Sequence, residues 1–142
     1  MSRSILLLGA ACLFCASWGV ARAETVPFSA TLAGTSEVPP KATAGTGTAT
    51  AILDTSTKTL AYDVQYSGLS GPATAAHFHG PAEPGANAGV AVPFASPANP
   101  IKGTATLTDA QMADLMAGRW YANVHTAANP AGEIRGQMTR AK

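Results

Sequence analysis

Charge is scarce in this chain. Asp, Glu, Lys and Arg make up 12% of its 142 residues, aromatic residues 6%, and histidine occurs three times. Cysteine occurs twice, at Cys12 and Cys15, and both lie in an N-terminal stretch that reads as a secretory signal peptide. Arg3 gives it a basic start, Ile5 to Trp18 is mostly apolar, and Ala21-Arg22-Ala23 fits a small-x-small cleavage site. With residues 1–23 removed, the expected mature chain, 24–142, has no cysteine, so it has no disulfide and no thiolate ligand. Core burial alone must then hold it together, which a single domain of about 119 residues can achieve.

Other absences narrow the function. The leading apolar run is shorter than the roughly 20 residues of a membrane span and no second run follows, so the expectation is a periplasmic or secreted domain without a span in the mature chain. The residues before each cysteine do not spell a lipoprotein cleavage box, and no lipid anchor is expected. Without Arg3 and Arg22, 7 basic residues face 8 acidic ones, a net charge of −1. No basic stripe is left to meet a phosphate backbone, and nucleic acid is not an expected partner. No serine sits in a nucleophile elbow, and no glycine-rich phosphate loop joins a strand to a helix.

What is present is alternation. Val26, Phe28, Ala30 and Leu32 share one face of "VPFSATLAG"; Ala49, Ala51 and Leu53 share one face of "GTGTATAILD", opposite Thr46, Thr48 and Thr50. In "TLAYDVQY", Leu60, Tyr62, Val64 and Tyr66 alternate with Ala61, Asp63 and Gln65. This is the period-2 pattern of half-buried strands, and the intervening "DTSTK" predicts a hairpin. Further strands are expected at 73–79, 89–94, 101–107, 119–126 and 132–139. One helix interrupts them: Thr108 with Gln111 forms a capping-box pattern, Met112, Leu115 and Met116 form an apolar stripe, and Gly118 is placed to end it. The methionines read as core filler rather than copper ligands. The expected fold is all-β, an antiparallel Greek-key β-sandwich with one short helix.

The histidines are not scattered. His77 and His79, in "AAHFHGPAEPG", project to the same side of a strand, and His125 ends "RWYANVHT" on a face shared with Tyr121 and Asn123. Three imidazoles with one open position make a recurrent exchangeable or catalytic metal site. Without thiolates, imidazole ligation suits copper first and zinc second. Spacing alone does not make strands 73–79 and 119–126 neighbours. Glu133 is a candidate to accept the outer N–H of a ligating histidine, or else a surface partner of Arg135. Tyr121 and Asn123 are candidates to line the site. Glu83, in the Pro/Gly/Asn-rich loop from Gly80 to about Gly89, is a candidate oxygen ligand, and Glu37, before Pro39 and Pro40, reads as a turn determinant.

The blocks "SATLAGTSEVPP", "YDVQYSGL", "TAAHFHGPAEPGANAGV", "LTDAQMADLMAGRWYANVHT" and "NPAGEIRGQ" together resemble the CHRD domain, named for its occurrence in chordin and found widely in exported bacterial proteins. The resemblance runs from about Phe28 to Gln137. It implies a β-sandwich of immunoglobulin-like character, with "HFHGP" and "NVHT" as signature blocks over His77, His79 and His125. Locally, "GLSGPATAAHFHG" is also similar to the copper-ligand strand of copper/zinc superoxide dismutases. The further zinc-binding histidines and the disulfide of those enzymes are missing, which leaves at most a copper-only centre. By the same analogy Arg135 is a weak candidate for guiding an anion. Three readings stand side by side: a copper-holding domain, a copper-dependent oxidoreductase of the superoxide dismutase type, and an interaction module whose histidines merely brace turns.

Overall fold

The computed structural model describes residues 23–142; apart from Ala23, the expected signal peptide lies outside the described residues. Nine strands follow in order: β1 Thr25–Ala33, β2 Thr46–Asp54, β3 Thr59–Ser67, β4 Ala73–His79, β5 Val90–Pro93, β6 Ile101–Thr106, β7 Tyr121–Thr126, β8 Ile134–Gln137 and β9 Thr139–Arg140. A 3-10 turn, Gly34–Ser36, follows β1, and the helix α1, Asp109–Met116, lies between β6 and β7. The fold is all-β with one short helix, and every strand pair is antiparallel.

The strands form one sheet in the order β5-β4-β7-β8-β1-β2-β3-β6, with β9 against β1. Its two halves, β5-β4-β7-β8 and β1-β2-β3-β6, are joined at the single β1–β8 register pair Ala33↔Arg135. The sheet curls until the halves face each other, giving a nearly closed, sandwich-like barrel. Contacts across the core carry the argument: Phe78 of β4 meets the edge of Tyr62 of β3 at 5.5 Å between centroids, and Phe94 stacks on Tyr62 at 4.6 Å. Trp120 closes the same cluster beside Phe78, at 5.9 Å.

Local chemistry sets the elements. The alternating residues of β1, β2 and β3 bury Phe28, Leu32, Ala51, Leu53, Leu60 and Val64, with polar neighbours outside. Asp54 closes the β2–β3 hairpin by accepting hydrogen bonds at Oδ1 from Ser56 N (2.8 Å) and Thr57 N (3.1 Å). Both arms of the capping box on α1 are made, Gln111 N donating to Thr108 Oγ1 at 3.2 Å and Thr108 N to Gln111 Oε1 at 2.9 Å. Gly118, at φ 73°, ends the helix, Leu115 is buried, and Met112 and Met116 pack against the core as filler.

One departure from simple alternation positions the site. Strand β7 is buried on both faces. Trp120, Ala122 and Val124 enter the core. Tyr121, Asn123 and His125 face the other way and are covered by the loop Gly80–Gly89, the Pro130–Gly132 turn and Glu37. No helix among the described residues is long and apolar enough to cross a membrane.

Candidate metal centre

Strands β4 and β7 are direct neighbours, paired Ala75↔His125, His77↔Asn123 and His79↔Tyr121. The outward residues of β4 therefore stand beside those of β7, and His77 lies diagonal to His125 across the ladder. One ring nitrogen from each of His77, His79 and His125 lies within 4.8 Å of the others. The closest pair, His77 Nδ1 and His125 Nε2, is 3.2 Å apart. Two nitrogens of a tetrahedral shell at ~2.0–2.1 Å from an ion are about 3.3 Å apart, so this spacing serves equally as a hydrogen bond or as one edge of a coordination shell.

Backbone carbonyls orient two of the rings. His79 Nδ1 is 3.0 Å from Ala88 O, and His125 Nδ1 is 3.0 Å from Pro130 O. A carbonyl only accepts, so each Nδ1 carries the proton and each Nε2 keeps a lone pair. His79 Nε2 is buried and has no hydrogen-bond partner. Burial lowers the pKa of His77, with the charge of His125 adding to it, and burial is also the main cause of the lowered pKa of His79. Both are thereby held in the neutral form that a metal ion requires.

The other candidates fall around this triad in unequal roles. Tyr121 stacks on His79, with centroids 4.9 Å apart and planes 6° from parallel, and the Arg135 guanidinium sits 4.1 Å over the Tyr121 ring. The Tyr121 hydroxyl donates to Ala88 O and accepts from Ala88 N, at 3.3 and 3.2 Å. Asn123 shares the face of the imidazoles but hydrogen-bonds elsewhere: its Nδ2 donates to Glu37 Oε1 at 2.5 Å and to Ile134 O at 2.9 Å. Gly132, at φ 127°, leaves room for that contact, since a Cβ there would fall 2.6 Å from Asn123 Nδ2 and 2.7 Å from Glu37 Oε1.

Four assignments made from the sequence need correction. Glu133 touches no histidine and does not pair with Arg135. Its carboxylate is fully buried and takes hydrogen bonds from Thr43 Oγ1, Ser70 N, Ser70 Oγ, Thr126 Oγ1 and Asn129 Nδ2. The outer N–H groups of His79 and His125 go to backbone carbonyls instead, which no side-chain pattern reveals. Arg135 is likewise committed, donating from Nε to Glu37 Oε2 (2.9 Å), from Nη1 to Ala86 O (3.2 Å) and from Nη2 to Asn87 Oδ1 (2.8 Å). It is not free to guide an anion. Glu37, read as a turn determinant, is the buried partner of that arginine. Its signal in the sequence was a lone acid in a charge-poor chain. Glu83 is exposed and stands outside the triad.

The CHRD domain model matches residues 28–138, which takes in most of β1, all of β2 through β8 and all three histidines. The chain belongs to the CHRD domain family. No curated protein and no solved structure matches it. Within this CHRD domain, the blocks around "HFHG" and "NVHT" are thus the two adjacent strands that bring the imidazoles together.

Proposed function

We propose that this CHRD domain is exported and holds one copper ion through His77, His79 and His125, for sequestration or delivery. The observation that carries the reading is the buried, unpartnered Nε2 of His79, part of a group whose neighbouring ring nitrogens are 3.2 Å apart. A buried nitrogen lone pair without a partner is costly, and an ion supplies the partner. If the histidines only braced turns, the Nδ1 contacts to Ala88 and Pro130 would suffice and His79 Nε2 would have no purpose. An all-imidazole donor set favours copper over zinc by the usual affinity order.

The oxidoreductase reading has support in the His-x-His strand and in a three-ligand site that leaves a position open. The commitment of Arg135 to Glu37, Ala86 and Asn87 weighs against it. The test is a copper(II) titration of the metal-free mature chain, followed by electron paramagnetic resonance. One equivalent bound, with nitrogen hyperfine structure from about three imidazoles, supports the reading; weak binding without fixed stoichiometry sinks it. Superoxide loss by the copper-loaded chain that disappears after dialysis against EDTA would move the assignment to the enzyme.

A further inference from the structure

The three imidazoles are not held alike. His79 and His125 are 9% and 8% exposed, and each is fixed through Nδ1 to a backbone carbonyl. His77 is only half-buried and lacks such an anchor. Its one hydrogen bond runs from Nδ1 to His125 Nε2, that is, to another member of the triad. Because His125 carries its proton on Nδ1, His77 must be the donor in that bond. His77 Nε2 makes no hydrogen bond and is not among the buried unpartnered atoms, so it reaches the surface.

Metal binding would affect these rings differently. An ion would take Nε2 of His79 and of His125, whose Nδ1 atoms stay on their carbonyls. At His77 it would take Nδ1, the nitrogen facing His125, in place of that hydrogen bond. His77 would then be held by its backbone and the ion alone, on the solvent side of the site.

Building on the copper-holding reading, we propose that His77 is the exchange ligand: it binds through Nδ1 and leaves first when an acceptor takes the ion, while His79 and His125 remain bound until the end. A nitrogen or oxygen donor of the acceptor bonds to the ion as the His77 Nδ1 bond breaks; His77 leaves as a neutral imidazole with its proton on Nε2, and exchange with water, one proton lost at Nε2 and one gained at Nδ1, restores its metal-free tautomer. No electron moves, so the exchange needs neither reductant nor oxidant. Removing His77 leaves an entry position permanently open at the surface; removing either of the others destroys one of the two anchored ligands.

The experiment mixes copper(II)-loaded mature protein with excess EDTA and follows visible absorbance by stopped flow. The parent rate is expected to rise linearly with EDTA. The variant His77→Ala is expected to bind one equivalent still and to lose it about ten-fold faster or more, whereas His79→Ala and His125→Ala lose stoichiometric binding. Release from His77→Ala at the parental rate or slower, or binding lost as fully as in the other two variants, overturns the proposal. A second measurement needs no variant: long-range proton–nitrogen correlation spectra of the zinc-loaded chain show which ring nitrogen is ligated. Ligation at His77 Nδ1 and at Nε2 of His79 and His125 is the expected pattern; ligation at His77 Nε2 overturns it. A parent chain that takes up no stoichiometric copper defeats the copper reading itself, a separate failure seen before any rate is measured.

Discussion

Arg135 and Glu37 place opposite charges where water scarcely reaches, at 5% and 3% exposure. Burial pushes the Glu37 carboxyl above its ordinary 4.5, even though Arg135 and Asn123 pull the other way. Replacing the cation alone leaves that carboxylate with amide contacts only. Arg135→Gln is therefore expected to cost about 3–5 kcal/mol in urea unfolding, and the double variant with Glu37→Gln to regain part of the loss. Glu133 behaves in the opposite sense. Desolvation would raise it, but the hydroxyl and amide donors of Ser70, Thr126 and Thr43 outweigh that and hold it at about 2. The folded state thus prefers its charged form. The contribution is complete above the ordinary carboxylate range and is lost as pH falls from about 4.5 through about 2, on the order of 3 kcal/mol in all. The raised Glu37 works against this loss, because its protonation favours the folded state on the acid side. Urea midpoints measured from pH 5 downward should fall steeply in the parent and less steeply in Glu133→Gln, whose neutral amide has no such pH dependence.

Among the elements, α1 offers the cleanest local test. Thr108→Ala removes one arm of the capping box and should cost about 1 kcal/mol by urea denaturation, with the metal site untouched. The same element shows why some of the fold was legible in the sequence. Capping, the Met112/Leu115/Met116 stripe and the Gly118 stop are all local, as is the alternation of β1, β2 and β3, each with one face in the core. The triad was half legible. His77 and His79 are local to β4, whereas His125 joins them only through the β4–β7 pairing, a contact between distant parts of the chain. What surrounds the triad was not legible. Ala88 and Pro130 act through carbonyls, which every residue has. The donors to Glu133 come from Thr43, Ser70, Thr126 and Asn129, on segments that only the curled sheet brings together.

For the whole molecule, stability and metal occupancy should move together. One ion bound at a hundred times its dissociation constant adds about 2.7 kcal/mol, a rise of roughly 10 °C in melting temperature for a domain of this size. The parent should show that rise with copper and lose it with EDTA, and a His77→Ala/His79→Ala/His125→Ala variant should show neither, by calorimetry. The way the sheet builds the site has a further consequence. Among the described residues no carboxylate hydrogen-bonds to any of the three imidazoles: His79 and His125 rest on neutral carbonyls, and the nearby Glu37 has its charge matched by Arg135. An ion held there would keep its full positive charge against a poorly polarisable barrel. If that ion is copper, such a setting would favour the lower oxidation state over the higher and so raise the reduction potential, a bias written by two peptide carbonyls rather than by any acidic side chain.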